Sequence, residues 1–482
     1  MSQEDREVDE ALALVRRAQG SPAGGEPEQS PQRPSQETGQ AGEAGRAGPA
    51  RQPGAEPAPS ARTDVADSGR DGAVASASAR TRATPWSEAR VVAARAGGAG
   101  ASRARRVSLG QALGQVLAEP LDALTDLPSF DTSAMDGWAV AGPGPWWSVE
   151  EGGQVLAGHA APGALADGTA VRIATGARIP PDATAVIRSE HARLEESKGR
   201  LYARREVVQG QDIRPRGQEC RTGDRLLPAG ALVTPAVLGL AAAAGYDGLS
   251  VVPRPRVEVF VLGDELLNEG LPHDGMVRDA LGPLLGPWLH ALGAEVIGTR
   301  HLGDDADALH RAVTASEADL VITTGGTAAG PVDHVHPILR KAGAELLVDG
   351  VAVRPGHPML LARLSGGADG RYLVGLPGNP LAAVSGLLTL AEPLLRARAQ
   401  RPPLAPYLSP VRDEVNGHPH DTRLVPVVHR AEQAVPLHYN GPAMLRGIAA
   451  ADGLAVVPPG GARAGQELEI LDLPWTTEGR FT

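Results

Sequence analysis

The chain reads as a multidomain protein, α/β plus β. Three stretches carry that reading. From Arg256 to about residue 400, aliphatic runs of strand length alternate with helical stretches. Such alternation predicts a parallel sheet with helices on both faces, a three-layer α/β domain. From about 125 to 208, short runs such as "TAVRIATGA" and "ATAVIRSE" sit between Gly and Pro turns, as in a β-rich module. Near the end, "LAVVPPGGARAGQELEILDL" reads as strands around a Pro-Gly turn.

Composition narrows the function. The 482 residues suffice for more than one domain. Aromatics are 3% against 42% hydrophobic residues, so the core must be aliphatic. There are 46 basic and 57 acidic residues and no basic stripe, which argues against nucleic acid. No apolar run reaches the length of a membrane span. The N-terminus is too acidic and too weakly apolar for a signal peptide, so a soluble cytoplasmic protein is the default expectation. The single cysteine, Cys220, has no partner for an intramolecular disulfide. It is either a catalytic thiol or, more simply, a stray one.

Residues 19–84 are low in complexity, with Val65 and Val74 as their only large aliphatics, and should be disordered. Before them, Val8, Ala11, Leu12 and Val15 lie on one helical face, a docking helix or a marginal one. Folded sequence should begin near Pro85, with 85–119 mainly helical. "GDRLLPAGALVTPAVLGLAAAAGYDGLSVV" brings a turn, a strand and a helix. In the α/β part, "RVEVFVLG", "EVIGTRHLG", "DLVITTGG" and "RYLVGLPG" are strands. "VRDALGPLLGPWLHALGA", "DDADALHRAVTASEA", "DHVHPILRKAG" and "NPLAAVSGLLTLAEPLLRARA" are helices, the second capped by Asp304 or Asp305. "RPPLAP" links to a last module of β character.

Ligands of such sheets bind beyond the carboxyl ends of the strands. "VLGDE", "ITTGG" and "GLPGN" all lie there. Gly325 and Gly326 let backbone approach a ligand, and successive N–H groups in such a turn can cradle a phosphate. The loop matches neither the Walker nor the dinucleotide pattern. Asp264, Glu265, Asp304, Asp305 and Asp333 follow strand ends. Several carboxylates at one crevice suit a hard cation held together with substrate phosphates. Taken singly, each also suits a helix cap or a solvated loop. "RPGHP" presents Arg354 and His357 at a turn, with Arg fitted to planar anion recognition. "GLPGNP" is read as mainly structural.

Together "FDTSAMDGWAV", "RIATGARIPPDATAVIRSE", "RPRGQECRTGDRLLPAGALVTP", "GDELL", "ITTGGTAAGPVDHV", "VAVRPGHP", "GLPGNPLAAV" and "AMLRGIAAADGLAVVPPG" resemble, in order, the molybdopterin molybdenumtransferases of the MoeA and gephyrin E-domain type. The likeness covers roughly residues 85–475. It implies insertion of molybdate into adenylylated molybdopterin, with Mg2+ assistance and release of AMP. It implies a homodimer with the active site between subunits, and molybdopterin adenylyltransferase as an upstream partner. The implied layout is a discontinuous helical and mixed domain I (85–124 and 210–253) and a β-rich lid, domain II (125–209). The α/β molybdopterin-binding domain III (254–400) and a C-terminal β-barrel, domain IV (401–482), complete it.

Carried over position by position, the resemblance implies catalytic roles for Asp136, Thr175, Glu265, Asp304 and Asp333. It implies pterin or phosphate binding by Gly325, Gly326 and Thr327, and anion binding by Arg354, His357 and Arg423. Glu219 stands where the family usually has aspartate. Asp264, Glu265, Asp304 and Asp333 are the implied metal set. There are departures. Arg354 and His357 replace lysines, and a further lysine position is Gly350. "DSN" is "DAL" at Asp279–Leu281, and a hydroxyl is missing near Gly441–Pro442. A free histidine is mostly neutral near pH 7, with an ordinary pKa of about 6.5. The anion pocket therefore loses positive charge. Three alternatives to a standard transferase stay open: a divergent working subfamily, a lapsed paralogue serving as a molybdopterin-binding scaffold, and a molybdopterin adenylyltransferase.

Overall fold

A computed structural model describes residues 83–100, 104–149, 154–159, 163–327, 333–365 and 370–475. The expectations for the low-complexity tail and the helix around Val8–Val15 fall outside these residues, apart from the tail's last two positions. There Thr84–Pro85 is a short strand, paired in parallel with Val351–Ala352.

Helix α1 (Trp86–Gly98) follows at once. Helix was expected to run on to about 119, and it does not. Arg105–Ser108 and Val116–Leu117 are strands flanking Gly248–Val252 in a three-stranded sheet. Gly114, at φ +74°, turns the chain between them, where most residues would be strained. Only Leu109–Ala112 is helical in this stretch. The helix Pro235–Ala243 covers the same small core, with Thr234 accepting the Val237 N–H at its start.

The segment between these pieces carries a six-stranded sheet built from residues 137–203. Its alternating apolar residues, among them Ala139, Val171, Ile173 and Val186, form their own core.

The α/β region holds a second six-stranded sheet. Its strands are β1 (Arg256–Leu262), β2 (Glu295–Leu302), β3 (Leu320–Thr324), β4 (Glu345–Asp349), β6 (Leu360–Leu364) and β7 (Arg371–Leu376). The order is β2-β1-β3-β7-β6-β4. The four strands read from their apolar runs are parallel. β6 and β4 add antiparallel at one edge, so the sheet is mixed rather than wholly parallel. The missing strand β5 (Val351–Arg354) leaves this sheet altogether.

Helices α2 (Leu281–Ala291), α3 (Ala306–Ala315) and α4 (Val335–Lys341) cover the sheet. α2 starts later than the apolar pattern suggested. The buried Asp279 carboxylate accepts the N–H groups of Leu281 and Gly282, which sets its first turn. Of the two acids considered as the cap of α3, Asp305 does it, accepting from Asp307 and Ala308. The expected long helix is α5 (Pro380–Gly386), a π turn over Leu387–Ala391, and α6 (Glu392–Arg398). Pro393, which brings no N–H, follows that wider turn.

The last sheet joins β8 (Tyr407–Pro410), β9 (Thr422–Arg430), β10 (Gln433–Pro436), β11 (Gly453–Val457) and β12 (Glu467–Asp472). β5 pairs in parallel with β9 and so extends this sheet. The core of the α/β region runs on into it: Leu424, Ile448, Leu454 and Leu471 pack with Leu381, Leu388 and Leu394.

Candidate functional site

The apolar strands β1, β3 and β7 end side by side because their buried Val, Leu and Ile runs stop together at Gly or Pro. Gly325 sits where they meet. Its N–H donates to the Leu376 carbonyl at 2.9 Å. A Cβ added to it would stand 3.4 Å from the Leu262 carbonyl oxygen. A Cβ on Gly378 would in turn stand 3.6 Å from the Gly325 Cα. Gly325 and Gly326 both have positive φ, +82° and +64°. These conformations favour glycine. Thr327 is buried with its methyl against Gly375. The buried Thr323 hydroxyl, on β3 two residues before Gly325, has no hydrogen-bond partner among the described residues.

The acids gather only in part. Leu262 and Leu302 are register partners, so the turns after β1 and β2 emerge together. The Asp264 carboxylate lies against Gly303, leaving no room there for a side chain, and Asp304 follows directly. Glu265 instead folds its carboxylate back onto Gly263. Asp333 is drawn aside by His336. The His336 Nδ1 lies 2.9 Å from Asp333 Oδ2, and Nε2 lies 2.8 Å from Asp349 Oδ1. Burial alone would lower the His336 pKa, but the hydrogen bonds and charges of Asp349 and Asp333 outweigh it and the pKa is raised. Among the described residues no three His, Cys, Asp or Glu side chains are grouped to hold a metal. The four-acid metal set is therefore not assembled as a cluster.

The positive side lies at the C-terminal sheet. Arg354 and Arg423 are register partners on β5 and β9. Arg354 Nε donates to Asp421 Oδ2 at 2.8 Å. Arg423 donates to the Asn416 carbonyl at 2.7 Å and to Asn440 Oδ1 at 2.9 Å. His357 Nδ1 donates to the Val351 carbonyl at 2.8 Å, which leaves Nε2 as an acceptor in the neutral ring. A Cβ on Gly350 would lie 3.9 Å from that ring, and Gly350 itself has φ +79°. The substituted turn is thus built around the imidazole.

Asp136 and Thr175 meet in the β-rich module. The Thr175 N–H donates to Asp136 Oδ1 at 2.7 Å and holds its carboxyl below the usual carboxylate range. Glu219 lies at the stem of that module, its N–H donating to the Leu127 carbonyl at 2.9 Å. Beside it, Cys220 is buried, and burial pushes its thiol pKa up, against a role as a nucleophile.

Sequence reasoning overlooked His336, Asp349, Asp421 and Asn440. Asp333 and His336, three apart at a helix start, carried a local signal. Asp349 and Asp421 reach the site only through strand pairing, and Asn440 through the loop after β10.

Comparison with known proteins agrees along the chain. Residues 79–245 match the MoeA N-terminal region (domain I and II), 258–397 a probable molybdopterin binding domain, and 409–473 the MoeA C-terminal region (domain IV). The chain is 34% identical over 396 residues to molybdopterin molybdenumtransferase 2 of Mycobacterium tuberculosis, covering 77% of this chain and 96% of that one. It is 30% identical over 391 residues to the molybdopterin molybdenumtransferase of Staphylococcus aureus (strain Mu50), covering 76% and 90%. The fold is similar to that of the molybdopterin biosynthesis MoeA protein of Pyrococcus horikoshii, at a TM-score of 0.66 and 24% identity over 81% of this chain and 99% of that one. Among the described residues no helix is long and apolar enough to cross a membrane. At these identities, over nearly the full length of its relatives, the chain belongs to the molybdopterin molybdenumtransferase family.

Proposed function

We propose that this chain is itself a molybdopterin molybdenumtransferase, inserting molybdate into adenylylated molybdopterin with release of AMP. One observation carries the reading. The positive-φ loop Gly325–Gly326 sits where three strand ends meet, with Asp264 and Asp304 at the neighbouring ends. Such a crevice suits a flat ring system bearing phosphate.

The Gly326 N–H, in the loop that Gly325 turns, binds the pterin phosphate, and Thr327 fixes the loop from below. Arg354 and Arg423 bind the oxyanion. Asp333, held by His336, orients the reacting end. Asp264 and Asp304 offer hard oxygen donors, and Mg2+ typically takes one or two carboxylates together with substrate phosphates and water. That donor set fits Mg2+ without a third protein acid. When bound, the ion would neutralise pyrophosphate charge.

The hydrogen bonds of Asp136 and Thr175 stay within the β-rich module. A homodimer, in which that module of one copy completes the site of the other, gives both residues a place in the reaction. Molybdopterin adenylyltransferase is the upstream partner that this substrate requires. The three-part match from 79 to 473 favours the transferase over an adenylyltransferase made of the α/β domain alone. The lost lysines favour the scaffold reading.

The test is AMP release by purified protein given adenylylated molybdopterin, Mg2+ and molybdate. Molybdate-dependent AMP supports the transferase. Tight pterin binding without AMP, with tungstate also supplied, supports the scaffold.

A further inference from the structure

We infer that Asp421 is a positioning residue for Arg354, turning its guanidinium so that the outer edge faces the anion. The inference rests on the transferase reading for the identity of that anion, though not for the geometry.

Arg354 and Arg423 face each other in register on parallel strands. Side chains at paired positions lie on one side of the ladder, and residues two apart on a strand share a face. Asp421 precedes β9 by one residue, so Asp421 and Arg423 flank Thr422 on the same face as Arg354. Two arginines at paired strand positions repel. Asp421 supplies the compensating charge: two positive groups less one negative leave a single positive charge for a ligand.

The contact is selective. Asp421 Oδ2 accepts only the Nε of Arg354, at 2.8 Å. The Nη groups of Arg354 make no bond among the described residues, and its side chain is 47% exposed while that of Asp421 is 14% exposed. Asp421 is itself held. Its N–H donates to His418 Nδ1 at 3.0 Å, and that nitrogen also lies 3.4 Å from the carboxylate. Arg423 is fixed separately by Asn416 and Asn440. A lysine at 354 would have no Nε edge to grip, so the aspartate suits the arginine of this chain. The arrangement presents a planar donor pair, suited to a tetrahedral oxyanion such as molybdate.

A second possibility is that Asp421 competes with the anion, and the two have opposite signs in experiment. Asp421→Asn keeps shape and an acceptor oxygen but removes the charge. If Asp421 positions Arg354, the apparent KM for molybdate rises about tenfold, more than kcat falls. In Arg354→Ala or Arg354→Lys backgrounds the same change has little further effect, because the groups act as one unit. An unchanged or lower KM in Asp421→Asn overturns the proposal, as does an equal loss in the Arg354→Ala background. Thermal unfolding of each full-length variant separates misfolding from these effects. Calorimetric titration with molybdate alone reads the same shift without turnover. Failure of the transferase reading therefore leaves this test intact.

Discussion

The carbonyl of Pro442 accepts the N–H of Leu381 at 2.9 Å and that of Ala382 at 3.2 Å. A loop of the C-terminal module thereby satisfies the open N-terminus of α5, whose own cap residue Asn379 makes no side-chain bond to it. The "GLPGN" turn is thus a structural joint. Its helix start is occupied by protein, so the proposed function leaves anion binding to the Gly325 loop and the arginines.

Truncation after Arg401 should therefore do more than remove a domain. It uncovers α5 and strips Leu424, Ile448, Leu454 and Leu471 from a shared core. Fully burying one such side chain is worth about 1.5–3 kcal/mol. The shortened chain is expected to lose cooperative thermal unfolding and to bind a hydrophobic dye. A sharp transition near that of the intact chain would show the α/β region to be self-sufficient.

Gly97 lets α1 lie directly on α6, since a Cβ there would land on the Leu394 carbonyl. Neither helix backbone yields easily. Gly97→Ala should destabilise the protein by about 1–3 kcal/mol, as overpacking does. Urea unfolding measures this, and a gain in stability would mean that the helices sit further apart.

Gly325→Ala places a methyl near the Leu262 carbonyl and forces alanine to φ +82°. The backbone cost is about 1–2 kcal/mol. On the proposed function the loss of pterin affinity should exceed what that cost explains, because the shifted loop carries the Gly326 N–H proposed to bind the phosphate. Equilibrium binding of molybdopterin beside the unfolding free energy reads both.

Asp333→Asn should abolish turnover with little change in fold, and full activity would remove Asp333 from the site. His336 adds a pH signature. Its pKa is raised in the fold. The charged ring is therefore favoured by folding, and its stabilisation is complete below the ordinary value of about 6.5. That contribution fades as pH rises through the folded pKa. The stability difference between the parent and His336→Gln should shrink over that upper window. A difference that instead grows with pH would contradict the carboxylate pairing.

Asp126 shows the opposite sign. The N–H and hydroxyl of Thr222, then Arg216, hold its pKa down to about 2. These contacts tie the two chain segments that lead into and out of the β-rich module. Asp126→Asn should weaken that stem above the ordinary carboxylate value of about 3.9 and converge with the parent as pH falls toward the lowered one. Limited proteolysis near 126 and 216 across pH reports it.

β1, β3 and β7 were legible because a strand buried on both faces must be a continuous aliphatic run, while the exposed edge strand β2 was read from its place between two helical stretches. "RVEVFVL" and "LVITT" are such runs wherever they fold. The glycine loop and the acids at strand ends were legible because the same periodicity locates those ends. The antiparallel strands β4 and β6 were not. Glu345, Asp349 and Arg363 interrupt their apolar pattern, and their pairing depends on a neighbour already in place.

The sequence by itself determined the local conformations and the residues that carry charge, because burial pattern and turn chemistry act over a few positions. Tertiary structure alone decided which of those charges meet. Only the pairing of β5 with β9 sets Arg354 beside Arg423 and within reach of Asp421. Only strand order sends Asp264 toward Gly303 and brings Asp349 to His336. The reason is physical: such contacts join positions far apart along the chain, where no periodicity reaches, and they form only once shared core packing has fixed the sheets.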